Sequence, residues 1–334
     1  MRAIICSSFN GIDGLSLDTK VKSLSIESEG LLEKKFNMIR IRVYAAGINF
    51  ADMLIINGKY QVKPPFPFSP GFEVAGEVIE ISTGVTSVSV GDRVIAIVNY
   101  GGYAEEVLAF EEDTYLIPDS MSWDLAAGFP IAYGTSGDAL MRDITLNSGE
   151  YLVVNGAAGG VGLTAVEIGK QLGGVVIATA GSDDKLQIAK DHGADFLINY
   201  SKDNVAETIK KLTENRGADV IYDPVGGKIF STSMRAVKQG GKIIVIGFAS
   251  GAISEIPANI IMVKNILVIG YHFGGWRRID PIGVRKNVNQ LLKWYTEGKL
   301  RPHISNTFPL KDYKEALKLL QSRVTKGKII LEMT

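Results

Sequence analysis

The chain has 334 residues, 46% of them hydrophobic and 22% charged, with 36 lysines and arginines against 36 aspartates and glutamates. That is enough chain for two cores, and a balanced charge with no Lys/Arg cluster interleaved with aromatics excludes nucleic acid as a main partner. The single cysteine, Cys6, excludes an internal disulfide or a cysteine-based metal cluster; with a start, MRAIICSSFNG, whose apolar run is too short for a signal peptide, it predicts a reducing, cytoplasmic setting.

Along residues 1 to about 125 the runs are short and β-rich, as in MIRIRVYAAGI (38–48), EVAGEVIEI (73–81) and GDRVIAIV (91–98), and they are broken by Gly and Pro. This pattern predicts an antiparallel, barrel-like domain. Over 129–271 apolar strands alternate with amphipathic helices: strands at 151–155, 175–180, 196–200, 219–224, 242–247 and 265–271, with helices from 160, from 184, over 203–214 and near 228–238. Alternation of that kind predicts a doubly wound parallel sheet, an α/β fold. The apolar stretch 240–271 is interrupted by Glu255, Lys264 and Asn265 before it reaches membrane-spanning length, so no membrane span is expected. Helices near 283–297 and 311–323 and a strand at 328–333 follow. They are expected to return to the first domain, making it discontinuous: 1–128 with 272–334, around 129–271.

Between the strand YLVV and the helical LTAVEIGKQLG stands NGAAGGVG, residues 155–162. A strand, a glycine turn and a helix start within one βαβ unit form a dinucleotide fingerprint, because a backbone without Cβ atoms lets a pyrophosphate reach the N–H groups of the helix. Gly159 and Gly162 take the second and third glycine places, while Ala157 stands at the first. At the end of the second strand an NAD site places a carboxylate for the ribose 2′-hydroxyl. Here Thr179, Ala180 and Gly181 carry none, and Ser182 and Lys185 follow within reach of a phosphate. Asp183 and Asp184 could point inward and oppose that reading, and Lys185 alone would read as a solvated first-turn residue.

The segments AAGINFADMLIINGKY (45–60), PGFEVAGEV (70–78), GDRV (91–94), NGAAGGVG, GADVIYDPVGG (217–227) and KGKIILE (326–332) resemble the quinone oxidoreductase, zeta-crystallin-like branch of the medium-chain dehydrogenase/reductase family. The likeness runs over nearly the whole chain. It implies a GroES-like β-barrel catalytic domain around a Rossmann domain, with NADPH bound in an active-site cleft. By position it carries cofactor contacts to Asn49, Thr135, Gly159, Gly160, Val161, Gly162, Gly181, Ser182, Lys185, Tyr200, Gly247, Phe248 and Arg323, of which Lys185, Tyr200 and Arg323 would form the 2′-phosphate pocket.

Zinc-dependent members of the wider family carry Cys where this chain has Asn49, and Gly-His-Glu where it has Gly71, Phe72 and Glu73. Neither Asn49 nor Phe72 can serve as a zinc ligand, and the structural zinc lobe is missing. His192, His272 and His303 lack ligand spacing and read as surface or loop residues. The expected chemistry is therefore metal-free hydride delivery to an acceptor that is already electrophilic, a quinone or an alkene conjugated to a carbonyl. Asn49 is the expected amide donor and Thr135 the hydroxyl facing the carboxamide. Tyr60 is either a substrate-facing donor or a loop tyrosine packed on nearby prolines. Leu54 stands where several quinone oxidoreductases have tyrosine. Enal, enone or enoyl-thioester reduction uses the same parts, and a non-catalytic NADPH-binding role of the zeta-crystallin type is the alternative from another class. The uncharged strand 265–271 should lie at a sheet edge, where pairing with its own copy predicts a homodimer.

Overall fold

The computed structural model describes residues 1–26, 37–142 and 146–334. The chain divides into two units, Met1–Ile131 with Pro302–Thr334, and Ala132–Arg301.

In the first unit β1 (Ala3–Cys6) pairs antiparallel with β2 (Leu15–Asp18). β3 (Met38–Ile48), β4 (Glu73–Ile81), β5 (Arg93–Ile97), β6 (Glu106–Phe110) and β7 (Thr114–Leu116) belong to one sheet, in which β3 pairs with both β4 and β6. Branched residues at every second position, Ile39, Ile41 and Val43 on β3 opposite Val74 and Val78 on β4, turn to one face and form the core. Two short helices, α1 (Phe50–Ile56) and α2 (Trp123–Ala127), interrupt the strands.

The second unit opens on α3 (Pro130–Met141), which enters it at Ala132. There follow β8 (Tyr151–Val154), α4 (Gly160–Gln171), β9 (Val175–Ala180), α5 (Asp183–Asp191), β10 (Phe196–Asn199), α6 (Val205–Leu212), β11 (Ala218–Asp223), α7 (Gly227–Ala236), β12 (Val237–Val245), α8 (Ala258–Lys264), β13 (Leu267–Gly270), α9 (Phe273–Ile279) and α10 (Pro281–Thr296). The six strands are parallel in the order β10-β9-β8-β11-β12-β13. Burial on both faces explains their continuous apolar sequence: every residue of β11 is buried. The order reverses between β8 and β11, the place where such sheets bind ligands beyond the carboxyl ends of the strands.

The chain then returns to the first unit with β14 (Ile304–Pro309), α11 (Tyr313–Gln321) and β15 (Lys328–Glu332). β15 pairs antiparallel with β3, Ile329 facing Ile48, and parallel with β14. Among the described residues no helix is long and apolar enough to cross a membrane.

The division differs from the expected boundary at 271/272, because α9 and α10 belong to the second unit. The fully buried carboxylate of Asp138 on α3 accepts from Tyr271 Oη at 2.5 Å, Asn287 Nδ2 at 2.7 Å and Arg142 Nε at 2.6 Å, tying both segments to α3. Gly134 and Gly137 on α3 leave the space that Phe273 and Leu291 fill. Neither α3 nor α8 was visible as a periodic pattern. α3 is buried along most of its length, and α8 is apolar on its core side, at Ile260 and Ile261, and on its exposed side, at Met262 and Val263, so neither sequence shows the polar-against-apolar contrast that marks a helix.

Candidate functional site

Of the residues expected to bind the cofactor, those at 159–162, 181–185, 200 and 247–248 follow the carboxyl ends of the parallel strands, while Asn49 and Arg323 belong to the first unit and Thr135 to α3. The chain leaves β8 through Asn155, buried and bonded on three sides: its N–H donates to Tyr222 O at 3.0 Å, its Oδ1 accepts from Thr179 Oγ1 at 3.1 Å and its Nδ2 donates to Ser233 Oγ at 3.0 Å. Gly156 then turns back with φ +60°, a left-handed conformation that favours glycine. Gly159 precedes α4, whose Leu163 N–H donates to Gly159 O at 2.8 Å. The amides of Gly160, Val161 and Gly162 therefore belong to the first turn, where helices leave N–H groups without an intrahelical partner. A Cβ on Gly162 would collide with the Gly156 carbonyl oxygen, whereas one on Gly159 would meet only that oxygen, at 3.4 Å. Gly162 thus lets the helix close on the turn, and Gly159 keeps the space above the turn clear. A pyrophosphate fits this cradle.

At the end of β9, Gly181 and Ser182 are half-buried and the Tyr200 ring lies over Gly181, its hydroxyl 2.8 Å from where a Cβ would stand. The Ser182 hydroxyl donates to Asp184 Oδ1. Asp183 is turned to Asn199 and Lys202, at 2.6 and 2.5 Å. Lys185 is half-buried in the first turn of α5. Gly247 and Phe248 follow β12 beside the end of β11, where Ala249 N–H donates to Pro224 O at 3.0 Å. Arg323 belongs to the first unit, exposed after α11.

Thr135, 9% exposed on α3, neighbours a buried knot not anticipated from sequence. The Ser136 hydroxyl lies 2.8 Å from Val161 O, from Thr164 Oγ1 and from Tyr222 Oη. Burial raises the Tyr222 phenol above its ordinary range, against the opposing bond to Ser136. The knot anchors α3 on the first turn of α4, fixing Thr135 relative to the glycine turn.

In the first unit Asn49 leads into α1 and sits in a buried polar cluster. Its Nδ2 donates to Glu73 Oε1 at 2.7 Å, and its Oδ1 accepts from Lys328 Nζ at 2.7 Å. Lys328 also donates to Glu73 Oε1 at 2.7 Å and to Ile48 O at 2.8 Å, while Glu73 Oε2 accepts from Ile131 N–H at 2.7 Å. Lys328 is 7% and Glu73 0% exposed at the side chain. Beneath them Asp52 Oδ2 accepts from Asn49 N–H at 2.6 Å and Tyr103 Oη at 2.8 Å. Burial pushes the Asp52 carboxyl up to about 7, against these hydrogen bonds and the Lys328 charge, and raises the Tyr103 phenol well above its ordinary range. The half-buried Tyr60 ring lies 5.1 Å from the Phe72 ring, so its packing partner is Phe72.

His192, expected at the surface, has a side chain only 11% exposed that bonds Glu167 Oε1 through Nδ1 at 2.8 Å. Glu167 Oε2 accepts from Tyr133 Oη, which draws the loop inward. Lys328 and Ser136 escaped the sequence reading because their partners lie far along the chain, Lys328 and Glu73 being 255 positions apart; Asp52 escaped it because its burial and its bond from Tyr103, 51 positions away, leave no local trace beside the bond from Asn49.

Residues 36–119 match the alcohol dehydrogenase GroES-like domain, and residues 160–297 the zinc-binding dehydrogenase family. A quinone oxidoreductase-like protein 2 homolog from Nematostella vectensis is 39% identical over 297 residues, 88% of this chain and 81% of that one. Quinone oxidoreductase-like protein 2 of Bos taurus is 36% identical over 296 residues, 88% of this chain and 85% of that one. The solved structure of Escherichia coli quinone oxidoreductase complexed with NADPH superposes with a TM-score of 0.89 at 27% identity, over 99% of this chain and 100% of that one. With a parallel sheet in Rossmann order, a glycine turn at the carboxyl end of its first strand and relatives at this identity along most of its length, the chain belongs to the quinone oxidoreductase-like branch of the medium-chain dehydrogenase/reductase family.

Proposed function

We propose that the protein is an NADPH-dependent, zinc-independent reductase that transfers hydride to a quinone or a similar conjugated carbonyl acceptor. What supports this reading most is the Lys328 ammonium, bonded to both Asn49 and Glu73. It puts a fixed positive charge beside the two positions where zinc-dependent relatives keep a ligand and its neighbouring carboxylate, and a metal dication there would be repelled. With no Lewis acid to polarise an alcohol or ketone, the acceptor must delocalise negative charge by itself, as quinones and enones do.

NADPH bound at the glycine turn supplies the hydride. Gly159, Gly160, Val161 and Gly162 would present backbone N–H groups to its pyrophosphate. Gly181, Ser182, Lys185 and Tyr200 would meet the 2′-phosphate, with no carboxylate at 179–181 to repel it. Gly247 and Phe248 would line the path beyond β12, and Thr135 would orient the carboxamide through its hydroxyl. The roles of Asn49, Tyr60 and Arg323 in the first unit belong to the same proposal. The test is a turnover screen of NADPH and NADH against quinones, enals and enones after dialysis against a chelator. Quinone reduction that favours NADPH and survives chelation is expected, and loss of rate with loss of a stoichiometric zinc would refute it. Lys185→Glu should weaken NADPH by about 1–3 kcal/mol, for the loss of charge-assisted bonds, while leaving NADH nearly unchanged.

The same proposal includes a homodimer through β13. This strand is the last in the sheet order, Leu267 on it is 52% exposed, and Met262 and Val263 on the preceding α8 are 71% and 68% exposed. An apolar edge of that kind invites pairing, and a two-fold axis closes it. Light scattering at low micromolar concentration should give twice the chain mass, and Leu267→Lys, which leaves the core side of the strand intact, should shift it toward the monomer. An unmodified monomer, or an undisturbed dimer in the variant, would exclude this interface.

A further inference from the structure

Asp183 follows Ser182 directly, at the first position of α5 and beside the end of β9. A carboxylate in this neighbourhood ordinarily accepts from a ribose 2′-hydroxyl and repels a 2′-phosphate, so it stands against the cofactor preference that the rest of the strand end favours. Both of its oxygens are already engaged. Oδ1 accepts from Asn199 Nδ2 at 2.6 Å and Oδ2 from Lys202 Nζ at 2.5 Å. Asn199 is a built anchor: it is 5% exposed, and its Oδ1 takes the Ser201 N–H at 3.0 Å, so the other end of the amide must be the donor. Its own N–H donates to Asp203 Oδ2 at 2.9 Å, holding the loop from which Lys202 projects. The two bonds hold the Asp183 carboxyl below its ordinary range.

We infer that Asn199 and Lys202 act as a positioning clamp on Asp183, setting the preference for a 2′-phosphorylated dinucleotide. The inference rests on the NADPH reading above and adds to it residues that touch no part of the cofactor. A clamped carboxylate is directed at Asn199 and Lys202 instead of at a ribose hydroxyl, and the ammonium offsets its charge, so a phosphate near Ser182 and Lys185 meets less opposing charge. Release of the clamp restores both effects in the direction of NADH, an instance of specificity set by removing a repulsion. The Lys202–Asp183 pair is exposed, 65% and 68% at the side chains. Solvent and salt therefore moderate it, and the expected effect is about three- to tenfold in the ratio of dissociation constants, smaller at high salt.

The experiment titrates the full-length protein with NADPH and with NADH by fluorescence, in the unmodified chain and in Lys202→Met, Lys202→Arg, Asp183→Asn and the double variant Asp183→Asn/Lys202→Met. Lys202→Met should narrow the preference for NADPH, with NADH gaining as NADPH loses, and Lys202→Arg should retain it. In the Asp183→Asn background Lys202→Met should change nothing. A preference in the unmodified protein that Lys202→Met leaves unmoved overturns the clamp alone. Equal weakening of NADPH by Lys202→Met with and without Asp183 also overturns it, because the lysine would then be touching the phosphate itself. Equal constants for the two cofactors in the unmodified protein overturn the NADPH reading and the clamp together.

Discussion

Lys328→Met is expected to destabilise the first unit by about 3–5 kcal/mol, because it leaves a buried carboxylate without its counter-charge. Glu73 is fully buried, and Lys328 satisfies its Oε1, the Asn49 carbonyl and the Ile48 carbonyl in a single side chain. Methionine fills a similar volume but bonds none of them. Urea unfolding followed by tryptophan fluorescence should show a lower midpoint, and Lys328→Arg should recover part of it. The deficit should depend on pH with a definite sign. Asp52, already pushed up to about 7 by burial, loses the Lys328 charge that favours its ionised form. A carboxyl whose value is raised on folding binds more protons folded than unfolded, so its contribution to stability falls as pH rises from about 4 toward 7 and beyond. The variant should therefore lie nearest the unmodified protein at pH 5 and farthest from it at pH 8. A deficit below about 1 kcal/mol across this range would mean that water satisfies the cluster as well as the ammonium does.

Two single-methyl substitutions in the glycine turn should have opposite signatures. Gly159→Ala places its Cβ 3.4 Å from the nearest atom, the Gly156 carbonyl oxygen, and the residue's φ of −77° suits alanine. Stability should stay within about 0.5 kcal/mol of the original, while NADPH affinity falls at least about tenfold, roughly 1.4 kcal/mol, because the methyl occupies the approach to the first-turn amides. Gly162→Ala drives its Cβ into the Gly156 carbonyl and against Ala157 Cα. It should cost about 1–3 kcal/mol in stability through overpacking, with or without cofactor. Calorimetric titration and thermal unfolding of both variants separate the two signatures. Unchanged NADPH affinity in a stable Gly159→Ala protein would remove the pyrophosphate from this turn.

Much of the second unit was legible in the sequence because its strands and most of its helices carry their own signal. VVIATA is read as a strand and lies at Val175–Ala180, and the helix expected from 160 begins at Gly160. A strand buried on both faces is apolar throughout, and a helix packed on one side is amphipathic; both properties are local. The same reasoning missed α3, which is buried along most of its length, and α8, which is apolar both where Ile260 and Ile261 pack on the core and where Met262 and Val263 are exposed. It also ended the unit at 271, because nothing in HFGGWRR indicates that Tyr271 and Asn287 would both reach Asp138 on α3.

For the candidate site the division follows the same physics. The chain's own residues determined the glycine turn and the absence of a carboxylate at 179–181, since these depend on residue identity at adjacent positions. Only the tertiary structure decided which way Asp183 turns and what occupies the neighbourhood of Asn49. Asp183 is held by side chains 16 and 19 positions away, and the charge beside Asn49 comes from a lysine 279 positions along the chain. A carboxylate's partners are fixed by which strands lie side by side, and strand order is settled by burying the whole apolar surface at once, a quantity that no short window of sequence contains.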